Sequence, residues 1–215
     1  MKVALIGASG FVGSALLNEV LERGHQVTAL VRNPSKIITK NPNLTVKELD
    51  VMVSDDVVKA VKGYDAVISA YNPGWKNPNI AEDTLKGYKS IIEGVKKAGI
   101  KRFQMVGGAG SLFVEPGKTI IDMGYIPQSI LSGVKALAQV LTDYLRPEKE
   151  LDWVFFSPAA TIEPGKRTGK YRLGKDDLIS GDDGESRISV EDYAKAMIDE
   201  LEKPQHHRER FTIGY

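Results

Sequence analysis

Cysteine is absent from all 215 residues. That excludes disulfides, thiolate zinc sites, cysteine-ligated iron–sulfur clusters and a cysteine nucleophile, so any redox chemistry has to come from a bound cofactor. Also missing is any apolar stretch approaching the ~20 residues a helix needs to cross a bilayer. Neither sign of charge dominates. The 29 Lys and Arg against 28 Asp and Glu leave a formal net charge of +1, which argues against a nucleic-acid or membrane-surface binder and for a small-molecule partner. The three histidines, His25, His206 and His207, lack partners at ligand spacing, and no metal site is expected. Met1-Lys2-Val3-Ala4-Leu5-Ile6 runs straight into a glycine motif and leaves no room for a secretory leader, so a cytoplasmic location is the expectation.

What the chain does contain is alternation. Short apolar runs at Val3 to Ile6, Val27 to Val31, Leu44 to Leu49, Ala66 to Ala70, Phe103 to Val106 and Trp153 to Phe156 are separated by stretches of helical periodicity. Runs that are apolar nearly throughout suit strands covered on both faces, which predicts an α/β fold with a mostly parallel, doubly wound sheet. Helices are expected over Phe11 to Arg23, with Gly24 as C-cap, then Ser54 to Val61, Ile80 to Lys97, Ser129 to Leu145 and Ser189 to Leu201, with Ser189 as N-cap. Arg210 to Ile213 reads as a short last strand. The segment from Pro158 to Arg187, rich in Gly, Lys, Arg and Asp, reads as a loop-rich lobe within one domain spanning the chain.

Directly after the first apolar run comes Gly7-Ala8-Ser9-Gly10-Phe11-Val12-Gly13, opening an amphipathic helix. Gly7 permits a tight turn, Gly10 lets backbone approach a pyrophosphate, and Gly13 lets helix and strand pack closely. Free N–H groups at the helix start would face the phosphates. At the end of the second run, where an NAD-specific site usually carries an acid for the ribose 2′-hydroxyl, stands Arg32, followed by Asn33-Pro34-Ser35-Lys36. A guanidinium there can hold a 2′-phosphate, with Lys36 adding charge, so NADP is favoured over NAD.

With these glycines, Arg32, Asp50-Val51 and Val106-Gly107-Gly108-Ala109-Gly110-Ser111, the chain resembles the short-chain dehydrogenase/reductase superfamily. Within it the sequence looks like the compact, atypical branch of NmrA-like proteins, biliverdin-IX-beta reductases and NADH-flavin reductases. Trp153-Val154-Phe155-Phe156-Ser157-Pro158 and Phe211-Thr212-Ile213-Gly214-Tyr215 look like the last of these groups. The resemblance implies an NAD(P)-binding Rossmann fold in which Asp50 and Val51 contact the adenine. It places Ser69, Ala70, Tyr71 and Asn72 along the ribose and nicotinamide, and Ser157, Pro158 and Ala159 beside the nicotinamide. Asp50 fits a strand-end cap equally well.

The chain departs from the superfamily at its usual catalytic pair, a tyrosine four residues before a lysine. Lys135 fits the lysine, but Leu131 stands four residues before it. The tyrosine moves a proton on substrate oxygen, a role worth roughly 10²–10⁴-fold, so routine alcohol dehydrogenation or sugar epimerisation is not expected. Tyr125, on the preceding loop, is a candidate replacement. Hydride transfer from NADPH to a flavin, quinone or similar conjugated acceptor needs less from the protein, because the acceptor ring takes up the electrons and solvent can supply the proton. Candidate walls for that acceptor are Tyr71, Trp75 and Ser111, with Ser111 a possible hydrogen-bond donor or a turn cap. Lys166, Arg167, Lys170, Arg172 and Lys175 could attract an anionic acceptor, although the acidic residues that follow would offset them. A non-catalytic NADP-binding regulator is the competing reading, and an epimerase or dehydratase ranks below both.

Overall fold

The alternation resolves, in a computed structural model describing residues 1–215, into one large twisted sheet with helices on both sides. Strand β1 (Lys2–Ile6) leads through the glycine turn into helix α1 (Phe11–Glu22). Strands β2 (Gln26–Val31) and β3 (Leu44–Glu48), helix α2 (Ser54–Val61), strand β4 (Ala66–Ser69), helix α3 (Ile80–Lys97) and strand β5 (Arg102–Val106) follow. Next come the hairpin of β6 (Phe113–Glu115) and β7 (Lys118–Thr119), the one-turn helix α4 (Ile120–Met123) and helix α5 (Gln128–Gln139). The remainder supplies β8 (Asp152–Ser157), β9 (Thr161–Glu163), β10 (Arg172–Gly174), β11 (Arg187–Ser189), α6 (Val190–Glu202) and β12 (Glu209–Gly214).

Eight strands pair in the order β3-β2-β1-β4-β5-β8-β12-β10, every neighbour parallel except the edge pair β12 and β10. The chain winds outward from β1 through β2 to β3, then returns to place β4 on the other side of β1. That reversal leaves a crevice at the carboxyl ends of β1 and β4, the place where open α/β sheets bind ligands. Helices α1 and α6 cover one face over a cluster of 24 buried residues in which Phe156 stacks between Tyr193 and Phe211 at centroid distances of 4.4 and 4.1 Å. Helices α2 and α3 cover the other, over 22 buried residues including Val57, Ile91 and Phe103. Burial on both faces is why the inner strands carry unbroken apolar runs. No helix is long and apolar enough to cross a membrane.

Two expectations need correction. The helix expected over Ser129 to Leu145 starts as α5 but passes at Val140 into π-helical turns to Leu145, with Val140, Leu141 and Leu145 all buried in the core. Apolar periodicity does not distinguish these wider turns from α-helix. The stretch 158–187 holds more order than a loop-rich lobe: β9 pairs with β11 in parallel, and β10 forms the antiparallel edge of the main sheet. These strands are three residues long and largely exposed, which is why no alternation betrays them.

Candidate functional site

The three turn glycines separate by what surrounds them. At Gly7, φ is +79° and an added Cβ would sit 2.5 Å from the Ala70 carbonyl oxygen; at Gly13 it would sit 2.1 Å from the Gly7 oxygen. Both positions need glycine for the protein's own packing. Gly10 does not: its φ is −80°, and the nearest atom to an added Cβ is the Gly7 oxygen at 3.4 Å. The space that a side chain would fill lies open at the start of α1. No side chain caps that helix and no acidic residue occupies its first turn, so its free N–H groups and dipole present an anion site. The turn therefore fits the phosphates of a dinucleotide, which needs close backbone approach at Gly10.

Two clefts meet over this turn. The smaller, about 430 Å³, is lined by Gly7, Ser9, Gly10, Arg32, Lys36 and Val51 among others. Arg32 and Lys36 are exposed and neither forms an ion pair. Asn33 caps the short 3₁₀ turn Pro34–Lys36 by accepting from the Ser35 N–H at 3.0 Å, which holds Lys36 on the cleft wall. The larger cleft, about 600 Å³, has 27 lining residues, 19 of them hydrophobic, and shares Gly10, Ala70, Tyr71 and Asn72 with the smaller. The two form one continuous trough across the sheet reversal. Cations and N–H groups line one end, and apolar side chains line the other.

The structure brings most of the predicted residues to this trough. Ser9, Arg32, Lys36 and Val51 line the smaller cleft, and Phe11, Val12, Gly13, Trp75, Tyr125, Pro158 and Ala159 line the larger. Tyr71 belongs to both but is 8% exposed and donates its hydroxyl to the Asp83 carbonyl at 3.0 Å. Burial pushes its phenol up to about 12, so its proton is held and already committed. Trp75, 50% exposed, stands at the mouth against Gly133 of α5. Tyr125 is 78% exposed at the same mouth.

Other predicted residues lie elsewhere. Ala8, Ser69 and Ser157 are fully buried and support the trough from beneath. Ser69 Oγ accepts from the Tyr71 N–H at 3.4 Å, and Ser157 Oγ donates to the Gly108 carbonyl at 2.9 Å. Asp50 is exposed and accepts from the Met52 N–H at 3.0 Å, as a strand-end cap does, and Val51 of the pair lines the cleft. Ser111 is not on the cleft, because Arg210 reaches up from β12 to donate to both its carbonyl and its hydroxyl at 2.9 Å. The same guanidinium binds Asp176 and is 3% exposed, so Ser111 is part of a clamp. Lys135 is exposed, makes no hydrogen bond, and does not line the cleft. The α5 residues that face it are Ile130, Val134 and Leu137, with Pro127 just before the helix. The i, i+4 pair turned toward the trough is thus Ile130 and Val134, one residue away from Leu131 and Lys135.

Sequence reasoning missed the rest of the apolar wall: Val114 of β6, Ile120 and Met123 of α4, Ile162 of β9 and Leu178. Ile130, Val134 and Leu137 were visible as a helical stripe, but such a stripe signals burial without saying whether a core or a cavity lies against it. Glycines at 107 and 110 pack under Phe155 and Val134, where an added Cβ would come within 2.4 and 2.3 Å.

An open glycine at an uncapped helix start, set at the reversal point of a parallel sheet, defines an atypical short-chain dehydrogenase/reductase-like, NAD(P)-binding Rossmann protein. The chain belongs to the family described as NAD(P)H-binding, whose profile matches residues 7–204. It is 39% identical over 99% of its length to the uncharacterized protein YwnB of Bacillus subtilis (strain 168), covering 98% of that protein. Among solved structures it is similar to a Bacteroides thetaiotaomicron protein provisionally described as an epimerase, at 62% identity and TM-score 0.95, covering 100% of this chain and 96% of the other. A Streptococcus pneumoniae TIGR4 protein provisionally described as an NADH-flavin reductase matches at 34% identity and TM-score 0.81, covering 100% and 99%.

Proposed function

We propose that the protein is an NADPH-dependent reductase that passes a hydride to a flavin, quinone or similar flat conjugated acceptor. The observation that carries this reading is the apolar face of α5. Where a proton-transferring Tyr–Lys pair would be needed for alcohol or sugar chemistry, the trough meets Ile130 and Val134. Bound NADPH supplies the hydride. The acceptor gains two electrons and two protons overall, one hydride from NADPH and one proton from water, leaving the reduced acceptor and NADP⁺. The protein's part is then to bind and align two flat rings and keep bulk water off them. In this reading Gly10 and the first turn of α1 hold the pyrophosphate, Arg32 and Lys36 hold the 2′-phosphate, and Val51 lies along the adenine. Pro158 and Ala159 wall the nicotinamide, and Trp75 grips the outer acceptor edge.

The description of the Streptococcus pneumoniae relative supports this reading. That of the Bacteroides thetaiotaomicron relative points instead to epimerisation, which needs an acid–base pair at the substrate carbon. The larger cleft carries no Asp, Glu, His, Lys or Arg, and its two phenols are the committed Tyr71 and the mouth residue Tyr125. The competing reading is a regulator that binds NADP without turning it over. Following NADPH absorbance across flavins, quinones, ketones and nucleotide sugars separates the readings. Oxidation with flavins or quinones is expected. Turnover confined to ketones or sugars would overturn the proposal, and silence everywhere would favour the regulator.

A further inference from the structure

We infer that the acceptor is uncharged and lipophilic, without a phosphate, sulfonate or carboxylate on the part that enters the cleft. This rests on the reductase reading of the same site and narrows its substrate class. None of the larger cleft's 27 lining residues bears a charge. Its side-chain polar groups are few: the Asn72 amide, which accepts from the Gly74 N–H at 2.7 Å, the Tyr71 hydroxyl, which is bound to Asp83, and the Trp75 and Tyr125 heads at the mouth. The rim is apolar as well. Phe11, Trp75, Val114 and Tyr125, each at least 40% exposed, are four of the eight large exposed apolar side chains of the chain, gathered at this opening.

Three of the five basic residues that could have recruited an anion are used elsewhere. Arg167 pairs with Glu19 at 2.7 Å, and Arg172 donates to the Ser180 and Tyr215 carbonyls. Lys175 lies 3.9 Å from Glu209. None of the five basic residues from Lys166 to Lys175 lines the cleft. An anion drawn into such a space loses its water and meets no counter-charge, whereas a neutral ring gains from the apolar wall.

The test compares matched acceptors, naphthoquinone against its ring-sulfonated analogue, in which the charge is on the ring that enters the cleft. Wild-type kcat/KM should favour the neutral member of the quinone pair by about 100-fold or more. Because the two quinones differ in intrinsic reactivity, the decisive quantity is how that ratio moves on placing a cation in the wall. Ile130→Arg should shrink it at least about tenfold, by improving the sulfonate and impairing the neutral quinone. Should that variant misfold, Val114→Lys on the rim asks the same question with less buried volume at stake. A wild-type protein that serves both quinones alike, or a ratio unmoved by either cation, would overturn the inference while leaving the reductase reading intact. If no acceptor is reduced, the reductase reading falls by itself. What survives is the charge selectivity of the cleft for whatever ring it binds, read from Trp fluorescence titrations of the same quinones into NADP⁺-loaded protein: preference for the neutral ring sustains it, and equal binding or none removes it.

Discussion

The two ends of the trough recognise by opposite means. The smaller cleft works through backbone and fixed charge: an uncapped helix start, a glycine whose missing side chain leaves room, and two unpaired cations at Arg32 and Lys36. The larger works through shape and apolar surface, with side chains contributed by β6, α4, α5 and the segment after β8. The first is centred on a strand, a turn and a helix adjacent in the chain, with Arg32 and Lys36 following the next strand, so short motifs specify its anion-binding part. The second is assembled from segments far apart in sequence and is free to vary while the first stays the same. A common dinucleotide end can therefore stand beside many different second sites.

The sharpest way to break this comparison is to disturb the glycines separately. Gly13→Ala would push a Cβ to 2.1 Å from the Gly7 oxygen, and should cost about 3 kcal/mol or more of stability in a thermal or urea melt. Gly10→Val should change the melt far less, because its Cβ meets only the Gly7 oxygen at an ordinary 3.4 Å, yet weaken dinucleotide binding by about 100-fold or more in calorimetry. Tight binding by a folded Gly10→Val protein would mean that the phosphates lie elsewhere.

Charge at the polar end comes next. A charge-assisted contact to the 2′-phosphate is worth about 1.5–3 kcal/mol, or roughly 10–150-fold. NADPH should bind more tightly than NADH by that order, and Arg32→Ala should close most of the gap with little effect on NADH. Equal dissociation constants in the unmodified protein would contradict the assignment.

At the apolar end, Trp75→Ala should raise the acceptor KM about 3–10-fold, the worth of one aromatic stacking contact, while the NADPH dissociation constant stays put. A change in cofactor affinity instead would move Trp75 to the dinucleotide. The smallest effects are expected at Ser111 and Lys135. Their alanine variants should change kcat by less than about threefold, against the roughly 10²–10⁴-fold cost of losing a general acid or base. Ser111→Ala should be felt more in stability, since it strips an acceptor from the buried Arg210.

Ser111 and Lys135 also show where reading the chain stopped short. Both stand where the superfamily's pattern places its machinery, and both are chemically suited to it. Arg210, ninety-nine positions along from Ser111, captures its hydroxyl, and no local pattern announces a partner so distant. Lys135 is turned to solvent because α5 seats Ile130, Val134 and Leu137 toward the trough, a rotation chosen by what the helix packs on.

What the sequence by itself determined was much of what depends on near neighbours: the alternation of the main parallel strands and their helices, the doubly wound sheet, the glycine turn and the Ser189 cap, whose hydroxyl accepts from the Asp192 N–H at 3.0 Å. Periodicity and φ preference act over a few residues, and so can be read from a few residues. Tertiary structure alone decided which face of α5 looks into the trough, that the clefts join at Gly10 and Tyr71, that Arg210 removes Ser111 from the site, and that the larger cleft carries no charge. Those outcomes are set by which distant side chains compete for the same space and the same hydrogen-bond partners, and that competition exists only once the chain has folded.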